Sequence, residues 1–199
     1  MPDPALLPLF PLRTVLVPGG VLDLRIFERR YLDMVAACGR GGHGFGVCLI
    51  LAGEEVGAPA TPAEWGTEAV IEDFGQTPEG LLALRVRGHR RFRAGPPQVR
   101  PDGLLQAEVA WRPEPQPSPR LRPEHALLAE LLRRILAQAG PAAAEPEPAL
   151  FEDAAWVGWR LAEWLPLSAA QRLHLLRLDD PHARLQALLD GLSEEPAPG

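Results

Sequence analysis

The sequence predicts an α+β fold: a small barrel-like or twisted sheet with one early helix, followed by a subdomain of about four helices. Three observations carry this. Before residue 113, short apolar or alternating runs are separated by glycine and proline, the pattern of strands and turns. Early in that region Tyr31, Met34, Val35 and Cys38 fall at i, i+3, i+4 and i+7, one face of a helix. After residue 123 the apolar period is helical to the end.

The elements follow in order. Leu7-Pro8-Leu9-Phe10-Pro11-Leu12 is apolar but carries two prolines, which cannot donate to a ladder, so this strand is expected at an edge or a bulge. Leu16-Val17 leads into the turn Pro18-Gly19-Gly20, and 21–26 alternates toward its end as a half-buried strand does. The helix comes next. Gly39-Arg40-Gly41-Gly42-His43-Gly44 then connects helix to strand, the reverse of the strand-to-helix order of a phosphate loop, so it is a turn. Val47 to Ala52 is an unbroken apolar run, expected as a central, fully buried strand. Strand character returns at 67–74. Thr77-Pro78-Glu79-Gly80 makes a hairpin-like turn into 81–87, where Leu82, Leu84 and Val86 share a face. Gly88 is expected to break that strand at a bulge. Leu105, Ala107, Val109 and Trp111 form a last alternating strand.

Pro113, Pro115, Pro117 and Pro119 recur every second residue and mark 114–122 as a semi-rigid linker between a β domain, 1–113, and a helical subdomain, 123–193. The first helix there carries Leu127, Leu128, Leu131, Leu132, Ile135 and Leu136 and stops at Gly140-Pro141. After an Ala-, Pro- and Glu-rich loop, a second helix is expected from about Leu150 to Leu165, with Trp156, Trp159 and Trp164 at core periods. Ser168-Ala169-Ala170-Gln171 is a capping box opening the third helix. Asp180-Pro181 caps the fourth. Residues 194–199 are expected to be a disordered tail.

Composition narrows the chemistry. A chain of 199 residues with net charge −6 is a soluble globular type poorly suited to general nucleic-acid or anionic-membrane binding. All 20 basic residues are arginine. With no lysine, these residues can form no serine–lysine dyad, no phosphate-loop lysine and no Schiff base. Met1-Pro2-Asp3-Pro4 lacks the basic start of a signal peptide, no apolar run is long enough to span a bilayer, and two cysteines make no disulfide framework. A cytoplasmic, reduced protein without a membrane role is expected.

An ordered set of segments resembles the amino-terminal, substrate-binding domain of the Lon protease family. These are Leu7-Pro8-Leu9, Pro11-Leu12-Arg13, Pro18-Gly19, Leu24 with Ile26-Phe27, and Glu28-Arg29-Arg30-Tyr31, then Gly66-Thr67-Glu68-Ala69-Val70-Ile71, Gly80, and Val86-Arg87-Gly88-His89-Arg90-Arg91-Phe92. Leu161-Ala162-Glu163-Trp164-Leu165-Pro166-Leu167 is similar to the family's helical continuation. The resemblance implies a PUA-like β-barrel with an inserted helix, and recognition of polypeptide segments or of a protein partner. The family's ATPase and proteolytic machinery is excluded here by the missing lysine.

Candidate site residues are few. No catalytic, cofactor-binding or metal-binding residue is assigned. Ser118, Ser168 and Ser193 lie in a linker, a cap and a helix end. Cys38, His43 and Cys48 fit no common zinc spacing, and the cysteines are expected as buried inert thiols; His174 and His182 are expected as surface or helix-end histidines. Phe10, Phe27 and Trp65 fall at strand ends or in turn-rich sequence, so they are the polypeptide-binding candidates, although core burial is the competing expectation for each. Arg85, Arg87, Arg90, Arg91 and Arg93 are the one basic concentration; Arg87 and Arg91 carry an alternative RNA-binding role, against the simpler expectation of a polar strand face paired with acids. A small-molecule enzyme with a pocket between the subdomains is the third class. Binding in a groove between barrel and helices is favoured over strand addition, because the proline-rich first strand is a poor ladder donor.

Overall fold

The computed structural model describes residues 5–140 and 146–193. The acidic start Met1-Pro2-Asp3-Pro4, most of the Ala-, Pro- and Glu-rich loop and the tail 194–199 lie outside the described residues. The chain divides after Pro113 into two compact units.

The first unit contains strands β1 (Ala5–Leu12), β2 (Val21–Ile26), β3 (Phe45–Ala52), β4 (Thr61–Gln76), β5 (Leu82–Ala94), β6 (Gln98–Val99) and β7 (Leu105–Arg112). Helix α1 (Arg29–Gly41) is inserted between β2 and β3. The strands pair in the order β2-β5-β4-β3-β1-β7-β6, and a further β5–β7 pairing closes β5, β4, β3, β1 and β7 into a barrel. Closure leaves β2 and the two-residue β6 as the outer strands.

β1 is not at the edge. It lies between β3 and β7 because its pairing is divided along its length: Ala5–Leu9 run antiparallel to β7 and Leu9–Leu12 parallel to β3. Pro8 and Pro11 each fall in a half that is laddered on one side only, which offers an open flank for a nitrogen that cannot donate. β3 is central but not fully buried. Its register with β4 shifts after Cys48, and Leu51 and Ala52 emerge into solvent.

The turn Pro18-Gly19-Gly20 is closed by the Gly20 N–H donating to the Val17 carbonyl at 2.9 Å. It docks on β5 through Gly19 N–H to Gly88 O (2.7 Å) and Gly88 N–H to Gly20 O (2.8 Å). A Cβ at Gly88 would lie 2.2 Å from the Val17 carbonyl oxygen, so only glycine admits this approach. β5 carries one extra residue between its Thr67–Arg91 and Ala69–Gly88 pairs, a bulge that bends the strand without ending it. There β5 passes from pairing with β2 to pairing with β7. Two apolar clusters result. One gathers Phe10, Leu12, Ile26, Phe45, Leu84 and Val86 with Tyr31, Met34 and Cys38 of α1. The other packs Leu7, Leu9, Cys48, Phe92, Leu105, Ala107 and Val109 inside the barrel.

The second unit holds α2 (Ala126–Ala139), a 3-10 turn at Pro148–Glu152, α3 (Ala154–Trp164), α4 (Ala169–Arg177) and α5 (Pro181–Ser193). The proline-rich stretch is bonded to this unit: Leu121 N–H donates to Glu152 O (2.7 Å) and Ala154 N–H to Pro119 O (3.0 Å). The second helix begins later than its apolar period suggests, because Asp153 caps it, accepting from the Trp156 N–H at 2.8 Å and the Ser118 hydroxyl at 2.6 Å. The capping box at Ser168 is formed in both directions. In α2 the apolar stripe narrows to Leu128, Ala129 and Leu132, and Leu127 faces solvent. Trp159 is buried, whereas Trp156 and Trp164 are only partly covered. Arg184 is fully buried with its guanidinium 3.5 Å over the Trp159 ring, and donates to the Glu114 carboxylate (3.2 Å) and the Leu178 carbonyl (2.9 Å).

Candidate functional site

β2 pairs with β5 along all six of its residues, and among the described residues has no strand on its other side. It contains no proline, so its backbone keeps every donor. Beside it lies a cleft of about 320 Å³, lined by residues 23–28, by Phe10, Leu12 and Tyr31, and by Glu55 and Val56. Phe10 and Leu12 come from the end of β1, and Tyr31 from the first turn of α1. Phe10 meets Tyr31 edge-on at 4.4 Å and Phe45 at 5.9 Å, which fixes the inner wall.

The rim is held by ions. Phe27 sits at the corner between the last residue of β2 and Glu28, the residue preceding α1, and is 52% exposed. Glu28 pairs with Arg30 at 2.9 Å; Arg30 also donates to the Gly103 carbonyl at 3.1 Å and lies 4.6 Å from the Tyr31 ring. Opposite, the Arg13 backbone N–H donates to the Glu55 carboxylate at 2.6 Å, and the Arg13 guanidinium engages Glu54. These bonds tether residues 53–56 to the end of β1 and present Val56, 54% exposed. A second concavity of about 960 Å³ lies where β4, β5 and β7 meet, walled by Leu9, Ala63, Ala94, Pro96, Pro97 and Val109 and crossed by the Arg93–Glu64 pair at 3.1 Å.

The sequence candidates separate. Phe27 stands exposed at the cleft. Phe10 lines the same cleft but as a buried wall, so it cannot form an exposed patch as proposed from its strand-end position. Trp65 is also buried, within β4 and 5.9 Å from the Arg112 guanidinium, and reaches neither concavity. Val56 was missed, although an apolar residue between Glu55 and Gly57 in a turn-rich stretch was a visible signal. So was Phe74, 75% exposed beside Asp73 and Gly75.

The arginines of β5 do not form an open basic surface. Arg85 is bonded to Asp23 (3.0 and 3.2 Å), Arg87 to Glu72 and to the Gly19 carbonyl (2.9 Å), Arg90 to Glu68 (2.8 Å) and Arg93 to Glu64 (3.1 Å). Arg91 is 1% exposed, which corrects its assignment as a phosphate contact: the bulge at Gly88 turns it away from the row that Arg85 and Arg87 occupy. Phosphate binding at Arg87 would have to displace Glu72.

Burial pushes the Cys38 thiol up to about 11 and the Cys48 thiol up to about 12, away from the reactive thiolate. His43 and His174 are exposed; His182, in the first turn of α5, is a helix-end histidine but not a surface one, buried and stacked on buried His125 at 5.7 Å. Among the described residues no three His, Cys, Asp or Glu side chains gather as a metal-binding group, and no helix is long and apolar enough to cross a membrane.

The described residues thus form a mixed α+β protein: a closed barrel with an inserted helix, an edge strand beside an apolar cleft, and four further α-helices. The family model described as the ATP-dependent protease La (LON) substrate-binding domain matches residues 6–194, and the chain belongs to that family. The chain is 53% identical to the Lon N-terminal domain protein from Xanthomonas campestris, with a TM-score of 0.79 over 94% of this chain and 98% of that one. The N-terminal domain of the Mycobacterium avium complex Lon protease shares the fold at 22% identity, with a TM-score of 0.66 over 96% and 100% of the two chains. No curated protein matches the chain. Membership supports a substrate-recognition module, and the family's substrate-binding domain is a non-catalytic one.

Proposed function

We propose that this chain is a polypeptide-recognition module, acting without an ATPase or protease step of its own, that holds segments of client or partner chains against the cleft beside β2. The observation that supports this is the pairing of exposed Phe27 and Val56 at the rim with a buried aromatic wall of Phe10 and Tyr31. Single exposed apolar residues are ordinary on a surface; two flanking one apolar cleft are a docking feature. Covering the exposed half of one phenylalanine removes on the order of 100 Å² from water, worth roughly 2 kcal/mol. Contacts of this size give transient binding, micromolar or weaker. The two cysteines are buried and unbridged, which fits a reducing, cytoplasmic setting.

The test is fluorescence anisotropy with a labelled, permanently unfolded polypeptide. Phe27→Ser with Val56→Ser should weaken binding about tenfold or more, by the area argument above, and binding should persist at moderate salt. Unchanged affinity in that variant, or affinity that falls steeply with salt as phosphate binding does, would reject the proposal.

A further inference from the structure

We propose that an extended segment adds to the open side of β2 as a further strand, placing apolar side chains in the cleft and a basic residue against Glu55. This rests on the recognition reading above and specifies how it is achieved.

The first support is the edge itself. Exposed edges are ordinarily blunted by proline, by charged side chains, by a bulge or by a covering element; β2 carries Asp23 and Arg25, but Asp23 is paired with Arg85 of the neighbouring strand. β2 has no proline, and its six pairs with β5 run without a register shift, unlike the β3–β4 and β4–β5 pairs. The other outer strand, β6, has only two residues and offers too little ladder. From Leu22 to Ile26 β2 therefore presents a regular row of backbone donors and acceptors, whose complement is another extended backbone.

The second support is position. The cleft is lined by residues 23–28 themselves, so a strand laid on β2 runs along it. Alternate side chains of that strand face the wall made by Phe10, Leu12 and Tyr31, following the two-residue period of β structure. The cleft volume, about 320 Å³, is at the small end of ligand pockets, suited to a few side chains and not to a folded surface.

The third support is charge. Three carboxylates and one guanidinium, Arg25, line the cleft, so it is net acidic, and two of the carboxylates are held by cations: Asp23 by Arg85 and Glu28 by Arg30. Glu55 instead accepts from the Arg13 backbone amide, while the Arg13 guanidinium turns to Glu54. An arginine or lysine in the segment complements Glu55 with a charge-assisted hydrogen bond.

The experiment alters the probe backbone and so avoids misfolded variants. The probe is a fluorescein-labelled heptapeptide alternating leucine and threonine and ending in arginine. Two isomers carry N-methyl groups on alternate amides, one on each side of the strand. One isomer should bind about tenfold or more weaker and the other close to the parent, since a ladder uses only one side. Two isomers that both bind like the parent overturn strand addition and leave side-chain docking intact. Failure of the unmethylated probe to bind overturns strand addition together with the recognition reading. Glu55→Gln should weaken the arginine probe about threefold and leave an uncharged probe unchanged; equal affinities throughout overturn the charge assignment. Sedimentation showing a dimer that excludes the probe would place a second copy on β2 and overturn the choice of occupant.

Discussion

Replacing Gly46 by alanine tests whether Phe92 fills the barrel to its limit. The ring is fully buried between β3 and β4. An added Cβ at Gly46 would stand 2.7 Å from Phe92 Cζ and 2.8 and 2.9 Å from the Cδ2 atoms of Leu9 and Leu7. The leucine ends can rotate aside. The ring cannot retreat toward β4, because a Cβ at Gly66 would be only 2.6 Å from the same Cζ atom, so that flank is already closed. Trp111 meets the ring edge-on at 6.0 Å. Gly46→Ala should therefore cost about 1–3 kcal/mol, the range for one methyl forced into a packed core. Phe92→Leu alone leaves a void and should also cost about 1–3 kcal/mol, less than the full truncation of a phenylalanine. Together the new methyl occupies space the ring vacates, so the double variant should be more stable than the sum of the singles by at least about 1 kcal/mol. Urea unfolding followed by far-UV dichroism measures this, provided the slope m is constant across the four proteins. Additivity within about 0.5 kcal/mol would refute the idea that Gly46 is glycine because of Phe92.

Other predictions concern the second unit. Ser168→Ala removes a reciprocal cap and should cost about 1 kcal/mol; no shift in melting would show the cap to be energetically idle. Trp159→Ala should cost about 3–5 kcal/mol, and Trp164→Ala clearly less because Trp164 is only partly covered; the reverse order in thermal melts would contradict the packing. Burial first, and the nearby Arg122 and His125 charges next, hold the His182 imidazole below its ordinary value against the opposing pull of Asp180 and Glu124. Its neutral form is favoured by folding, so this contribution is complete above the unfolded value near 6.5 and is lost as pH falls through the folded value. Denaturant midpoints should drop between pH 7.5 and 5 more steeply in the parent than in His182→Asn, and equal slopes would count against it.

Much of the fold was legible because its signals are local. The α1 face, the turn at Pro18-Gly19-Gly20, the alternation in β7 and the cap at Ser168 each depend on residues a few positions apart. What failed depended on distant pairing. Two prolines suggest an edge strand, and only the division of β1 between β7 and β3 makes a central position tolerable. Arg91 reads as one more exposed arginine until the extra residue in β5 changes which way it turns. Strands beyond β5 decide closure, and no local pattern in β5 announces the β5–β7 pairing.

The site shows the same division. Phe10 and Phe27 carry equivalent signals, an aromatic at the end of an apolar strand. Their fates differ because of where each strand ends. β1 carries Phe10 into a core completed by Phe45 from β3 and Tyr31 from α1, whose rings meet it edge-on at 88° and 79°. Among the described residues β2 has no neighbouring strand beyond β5, and the chain leaves it at Phe27 with that residue half exposed. The same missing neighbour exposes both the apolar side chain and the hydrogen-bonding row of β2. A partner that satisfied one and not the other would leave either dehydrated backbone or wet hydrocarbon at the contact, each unfavourable. An extended chain answers both at once, which is why the preference for groove docking drawn from the prolines of β1 does not carry over to β2.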